Sequence, residues 1–122
     1  MNANLRKCMK DLRSGEFPQG LGALRTKRGY CCLGVICERY RRETGKGSWE
    51  PNTGDPGGAY VFRLPSGTGD TMLLPGEVQK WAGLTGANPR LSKGEFISAA
   101  TANDHEVPFP EIADLFEATY GA

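Results

Sequence analysis

The chain has one histidine, four cysteines and no apolar run near the roughly 18 residues that a membrane span requires. Each shortage removes a class of function. His105 stands alone, so no paired-histidine metal motif exists, and Cys8, Cys31, Cys32 and Cys37 include no C-x-x-C pair. No metal site is expected. The glycine clusters Gly20-Leu21-Gly22 and Gly54-Asp55-Pro56-Gly57-Gly58 lead into neither the Lys-Ser/Thr of a P-loop nor a full dinucleotide fingerprint, so no cofactor is expected either. Residues Met1 to Lys7 lack the apolar segment of a secretory signal. A cytoplasmic setting follows, in which the four thiols stay reduced and free. No internal repeat or low-complexity tract is visible.

What is present suits one domain, residues 1–122, too short for two cores of comparable size. The 17 glycines and 8 prolines imply short elements joined by turns and at least one long loop. The net charge of +1 hides an asymmetry: residues 1–50 carry eleven Lys/Arg against five Asp/Glu, and residues 51–122 carry four against nine. Such a dipole either steers an anion to one face or lets two complementary halves pack together, and complementary halves are the plainer account.

Hydrophobic spacing then predicts the elements. Leu5, Cys8, Met9 and Leu12 lie at i, i+3, i+4 and i+7, a helix over residues 3–14 ended by Gly15. Ala23 to Thr26 and Tyr30 to Cys32 flank the turn Lys27-Arg28-Gly29, a short hairpin. From Leu33 the period becomes helical through Ile36, Cys37 and Tyr40, with Arg39, Arg41, Arg42 and Glu43 opposite and Gly45 as the stop. Residues 45–58 read as a long loop holding Trp49, and Ala59 to Leu64 with Thr71 to Leu74 as a second hairpin. Pro75 suits a first helical position for a helix through Trp81 to Gly83. Asn88 to Leu91 is extended or turn-like, Ser98 to Ala102 a short helix broken at Asn103-Asp104, and Pro110-Glu111 opens a last helix with Ile112, Leu115, Phe116 and Thr119 on one face. The expected class is α+β: four or five short helices packed on small antiparallel β-hairpins.

The segment Tyr30-Cys31-Cys32-Leu33-Gly34-Val35-Ile36-Cys37 spans the strand-to-helix junction. A thiol at a helix start can be an activated nucleophile. Apolar neighbours act the other way, and His105 has no spacing that makes it a base, so these are expected to be core cysteines and no catalytic residue is assigned. A cysteine-dependent hydrolase or nucleotide-cleaving enzyme is the rival reading. Basic residues interleaved with aromatics are few, which disfavours nucleic acid as a partner. Arg25, Tyr30 and Trp49 combine a guanidinium fork and aromatic faces beside a Gly-rich loop, a set that suits a small anionic or nucleotide-like ligand.

Read as an ordered series, Leu12-Arg13-Ser14-Gly15-Glu16-Phe17, Gly22-Ala23-Leu24-Arg25, the Tyr30 to Cys37 segment, Val78-Gln79-Lys80-Trp81-Ala82-Gly83-Leu84, Asn88-Pro89-Arg90-Leu91, Asn103-Asp104 and Phe109 to Leu115 resemble a family of small hypothetical proteins common in bacteriophage and prophage genomes. The Tyr-Cys-Cys-Leu-Gly-Val run is the most specific part. In similar proteins the turn before the last helix reads Asn-Asp-Ser/Asp-Gly, where this chain has Asn103-Asp104-His105-Glu106. The resemblance implies a phage accessory protein in the host cytoplasm and carries over no catalytic residue. The expected function is a binder that interferes with a host process, by sequestering a nucleotide-like signal molecule or by occluding a host protein, with an oligomer open. Arg25, Tyr30, Trp49, Trp81 and Arg90 are expected to face the ligand because Trp and Arg supply stacking and charge, with Asn103 and Asp104 as further polar candidates.

Overall fold

A computed structural model describes residues 1–93 and 95–121 and shows an α+β chain with five helices and two small antiparallel sheets. The first apolar stripe forms α1 (Ala3–Ser14), which buries Leu5, Cys8, Met9 and Leu12. The Asn2 side chain caps its start by accepting from the Leu5 N–H at 2.8 Å, and Gly15 ends it in the left-handed region at φ 76°. The second helix, α2 (Cys32–Thr44), begins immediately after Cys31, whose sulfur accepts from the Gly34 N–H at 3.4 Å.

Between these helices the expected hairpin is reduced to a turn. Arg25 and Tyr30 form one antiparallel bridge, and Tyr30 also pairs in parallel with Gln19. The reason is local: the Tyr30 N–H is taken by the Pro18 carbonyl at 2.8 Å, and its carbonyl accepts from Gly20 at 2.7 Å. The Tyr30 backbone is thus committed to a crossing segment and does not extend a two-stranded ladder.

The first sheet has the order β1-β2-β3, with β1 (Ser48–Pro51), β2 (Tyr60–Arg63) and β3 (Gly69–Asp70), and Trp49 opposite Phe62. Two expectations are corrected. The presumed long loop 45–58 contains β1, a strand too short and too closely bracketed by Gly47 and Pro51 to show a period. The partner of β2 in the hairpin is Gly69–Asp70 and not Thr71 to Leu74, because the Thr71 carbonyl accepts from Leu24 at 2.7 Å and the Leu74 N–H donates to Ala87 at 3.0 Å.

Pro75 caps α3 (Gly76–Ala82) from just outside it. The second sheet, β4 (Arg90–Lys93) with β5 (Glu95–Ser98), was foreseen only as an extended start at Asn88 to Leu91. It is held by distant partners: the Ser92 N–H donates to the Thr119 hydroxyl at 2.8 Å and the Tyr120 hydroxyl to the Arg90 carbonyl at 3.1 Å. The next helix, α4 (Ala99–Asp104), includes Asn103 and Asp104 where a break was expected. The last, α5 (Phe109–Tyr120), buries Ile112, Leu115 and Phe116 as its spacing predicts.

All these elements close on one apolar core with α2 at its centre, where Cys32, Leu33, Val35, Ile36 and Cys37 are fully buried. At Gly34 the Leu24 backbone packs directly on the helix: a Cβ on Gly34 would collide with the Leu24 carbonyl oxygen. Among the described residues, no helix is long and apolar enough to cross a membrane.

Replacing Gly34 by Ala must push the Leu24 backbone off α2. We expect a loss of about 3 kcal/mol or more in urea unfolding, at the upper end of ordinary overpacking. A stability within about 0.5 kcal/mol of the parent would contradict this close packing.

Candidate functional site

Arg25, Tyr30 and Trp49 come together. The Arg25 guanidinium carbon lies 5.0 Å from the Tyr30 ring centre, 5.6 Å from that of Trp49 and 4.7 Å from that of Tyr60. Tyr30 meets Trp49 edge to face at 5.9 Å, and Trp49 leans on the buried Phe62 at 4.7 Å. The backbone sets this arrangement. The Tyr60 N–H donates to the Arg25 carbonyl at 2.9 Å, which ties β2 to the turn, and the Trp49–Phe62 pairing places the indole beside it.

Beneath the rings is Glu38, a carboxylate only 3% exposed. It accepts from Arg41 at 2.8 and 2.7 Å, from Arg42 at 2.8 Å and from the Trp49 indole N–H at 2.9 Å. Burial by itself opposes ionisation, but the donations from Arg41, Trp49 and Arg42 together outweigh it and hold the carboxyl down to about 2. Glu38 is therefore an anion at neutral pH with its charge matched by two arginines. Arg25 differs: among the described residues, no carboxylate pairs with it. The three rings orient its guanidinium without cancelling its charge.

Arg25, Tyr30, Glu38, Arg41, Ser48 and Trp49 line an open depression of about 390 Å³, and Tyr60 lies outside its walls. Burial pushes the Tyr30 phenol up, against the pull of Arg25, so it keeps its proton and remains a donor. The depression thus offers an unpaired planar cation, a second guanidinium and half-buried aromatic rings, which is chemistry for binding an anion that carries a ring.

The other predicted residues lie elsewhere. Trp81, on α3, stands edge-on to Tyr40 at 5.5 Å, and its carbonyl accepts from the Asn2 and Asn4 side chains at 3.1 and 2.8 Å. Among the described residues, ring contacts link it to the cage through Tyr40 and Phe62. Arg90 sits on β4, away from the depression's lining. Asn103 is fully buried and faces no open surface. Its carbonyl oxygen accepts from Gln19 at 3.1 Å and from the Cys32 N–H at 3.2 Å, and its amide donates to Gly20 at 2.9 Å. Asp104 accepts from the Gly22 N–H at 3.1 Å. Asn103 and Asp104 therefore clamp the 19–22 loop. Sequence reasoning missed Glu38, Arg41 and Tyr60. The Tyr60-Val61-Phe62 alternation was the available signal for Tyr60, whereas Arg41, opposite the apolar stripe of its helix, carried none.

The thiols are interior groups. Burial pushes Cys31 up to about 11 and also drives Cys8, Cys32 and Cys37 well above the ordinary thiol value. Cys32 donates to the Ala99 carbonyl at 3.5 Å, and among the described residues no hydrogen bond joins His105 to any thiol. Also among the described residues, no group of three or more His, Cys, Asp or Glu side chains could hold a metal ion.

Two outcomes follow. In the native protein a thiol reagent should label the four cysteines at least a hundredfold more slowly than in denaturant, whereas rapid labelling of Cys31 or Cys32 would return them to the candidate nucleophiles. For Glu38 the folded value lies below the ordinary 4.5, so its contribution is complete above that pH and is lost as pH falls through about 2. Glu38→Gln should cost about 2 kcal/mol at neutral pH and flatten the acid limb of the stability curve, as read by urea unfolding between pH 6 and 2.5. An unchanged acid limb would show that Glu38 does not carry it.

No curated protein and no solved structure matches the chain. The family comparison does find a match, over residues 1–120. The chain belongs to the family described as a domain of unknown function, DUF8296.

Proposed function

We propose that this protein binds a small anionic, nucleotide-like ligand on the Arg25 face and, in the phage setting that its sequence resembles, interferes with a host process by sequestering a signal molecule of that chemistry. The observation that carries this reading is the Arg25 guanidinium, held among three aromatic rings with no carboxylate partner among the described residues. A phosphate approaching Arg25 gains a charge-assisted, bidentate contact without first breaking an ion pair. Arg41, on the same depression, adds a second positive charge, although its own pairing with Glu38 limits how far it can turn to the ligand. A base laid against Trp49 or Tyr30 contributes about 1–3 kcal/mol by stacking. The buried thiols support binding over covalent chemistry.

Trp49 reports on this site directly, since the only other indole is Trp81. In a Trp81→Phe protein, Trp49 emission should quench saturably with a nucleoside phosphate, and Arg25→Ala should weaken that binding at least tenfold while the far-UV circular dichroism stays the same. A panel of linear and cyclic nucleotides that leaves Trp49 emission unchanged and gives no calorimetric heat would end this reading.

A further inference from the structure

The turn that carries Arg25 also carries Lys27 and Arg28, and the three side chains enter three different depressions. Arg25 lines the depression of about 390 Å³ with Tyr30 and Trp49, Lys27 one of about 200 Å³ with Tyr60 and Asn52, and Arg28 one of about 350 Å³ with Gln19 and Thr26. The turn is braced internally: Thr26 and Gly29 exchange backbone hydrogen bonds at 2.8 and 3.3 Å, and the Thr26 hydroxyl accepts from the Arg28 N–H at 3.1 Å. Three cations are thereby presented within four residues, at most about 14 Å of chain. Lys27 and Arg28 are exposed, and neither has an ion pair among the described residues.

The order of groups matters more than their number. Cation and ring interleave at two of the three depressions: Tyr30 and Trp49 stand by Arg25, and Tyr60, whose ring touches Arg25, also lines the Lys27 depression, while no ring lines that of Arg28 among the described residues. Alternating charge and base are the repeat of a phosphodiester-linked chain, whereas one base with clustered phosphates would use one ring and a single knot of charge. The carboxylates nearby weigh differently. Asp55, beside Lys27, is engaged by the Ala59 N–H at 2.9 Å. Glu106 lines the Arg28 depression and works against an anion there, so Arg28 should contribute less than Lys27.

Resting on the nucleotide reading of the Arg25 face, we infer that the ligand is an oligonucleotide of two or three linked nucleotides, with phosphates taken by Arg25, Lys27 and Arg28 in turn. Linear and cyclic forms share this chemistry, so both are tested. In the Trp81→Phe protein, binding of a nucleoside monophosphate, a nucleoside triphosphate, a linear trinucleotide, and cyclic di- and trinucleotides is measured through Trp49 at several salt concentrations.

At least one linked ligand should bind at least tenfold more tightly than the monophosphate and more tightly than the triphosphate. The Lys27→Ala/Arg28→Ala variant should lose that gain while changing monophosphate affinity by less than threefold. Its salt dependence for the linked ligand should fall by about 0.7 in logarithmic slope for each phosphate no longer neutralised, as for single strands. Equal binding of the monophosphate and every linked ligand, or of the triphosphate and the best linked ligand, would overturn the inference and leave the Arg25 site standing. An unchanged double variant would do the same. Silence from every ligand would overturn both.

Discussion

The Leu24 carbonyl lies so close over the α-carbon of Gly34 that no side chain fits between them, and the arrangement of the molecule depends on that approach. The same carbonyl accepts from the Cys31 N–H at 3.0 Å, so Leu24 is fixed against the first turn of α2 by two constraints at once. Arg25 is the next residue and cannot wander. From the other side, Asn103 on α4 grips Gln19, Gly20 and the Cys32 N–H. Each such hydrogen bond contributes only about 1 kcal/mol net, but a buried amide left without partners costs more than that, so the clamp specifies position more than it adds stability. The segment 18–31 is thus pinned between two helices, and the aromatic cage inherits its rigidity from the core.

Charge is arranged around that frame in a way the bulk asymmetry does not disclose. Complementary halves account for Arg13, which meets Asp114 and Glu117, whereas Arg63 with Glu50 joins the halves in the opposite polarity. Six further ion pairs lie inside the first fifty residues: Arg39 with Asp11 and Glu43, Lys7 with Glu43, Arg41 and Arg42 with Glu38, and Arg42 with Glu16. Exposed members of this belt contribute little each. Their consequence is distributional. The acids of that half are used up on helical arginines and Lys7, and Arg63 claims the last of them, leaving the turn cations Arg25, Lys27 and Arg28 without acidic partners among the described residues. Part of the positive surplus therefore lies on this turn, with Arg25 and Lys27 beside Tyr30, Trp49 and Tyr60.

Helices were legible because their signal is local. The spacings of Leu5 to Leu12, of Leu33 to Tyr40 and of Ile112 to Phe116 each place an apolar stripe on one face within a dozen residues, and each of those faces is buried. The short strands were not legible for the converse reason. Ser48–Pro51 and Arg90–Lys93 have four residues apiece, which is too few to show alternation; the first pairs with Tyr60–Arg63, and the second pairs with the adjoining Glu95–Ser98 and is anchored by Thr119 and Tyr120. Asn103 and Asp104 misled in a different way. A polar pair near a helix end suggests a turn or a ligand, and only the location of Gly20 and Gly22 shows that Asn103 is spent inside the core and that the exposed Asp104 holds the Gly22 N–H.

By itself, then, the sequence determined the α+β class, the helices and the burial of the cysteine segment, because each is written in spacings of a few residues. It also picked out Arg25, Tyr30 and Trp49 as the residues with the right chemistry. Tertiary structure alone decided that these three meet, that Tyr60 and Glu38 join them, and that Trp81, Arg90, Asn103 and Asp104 do not line the same depression. The physical reason is separation along the chain. A site assembled from residues 25, 30, 38, 49 and 60 depends on which backbone carbonyls and N–H groups find each other across distant segments, and no local period encodes that choice.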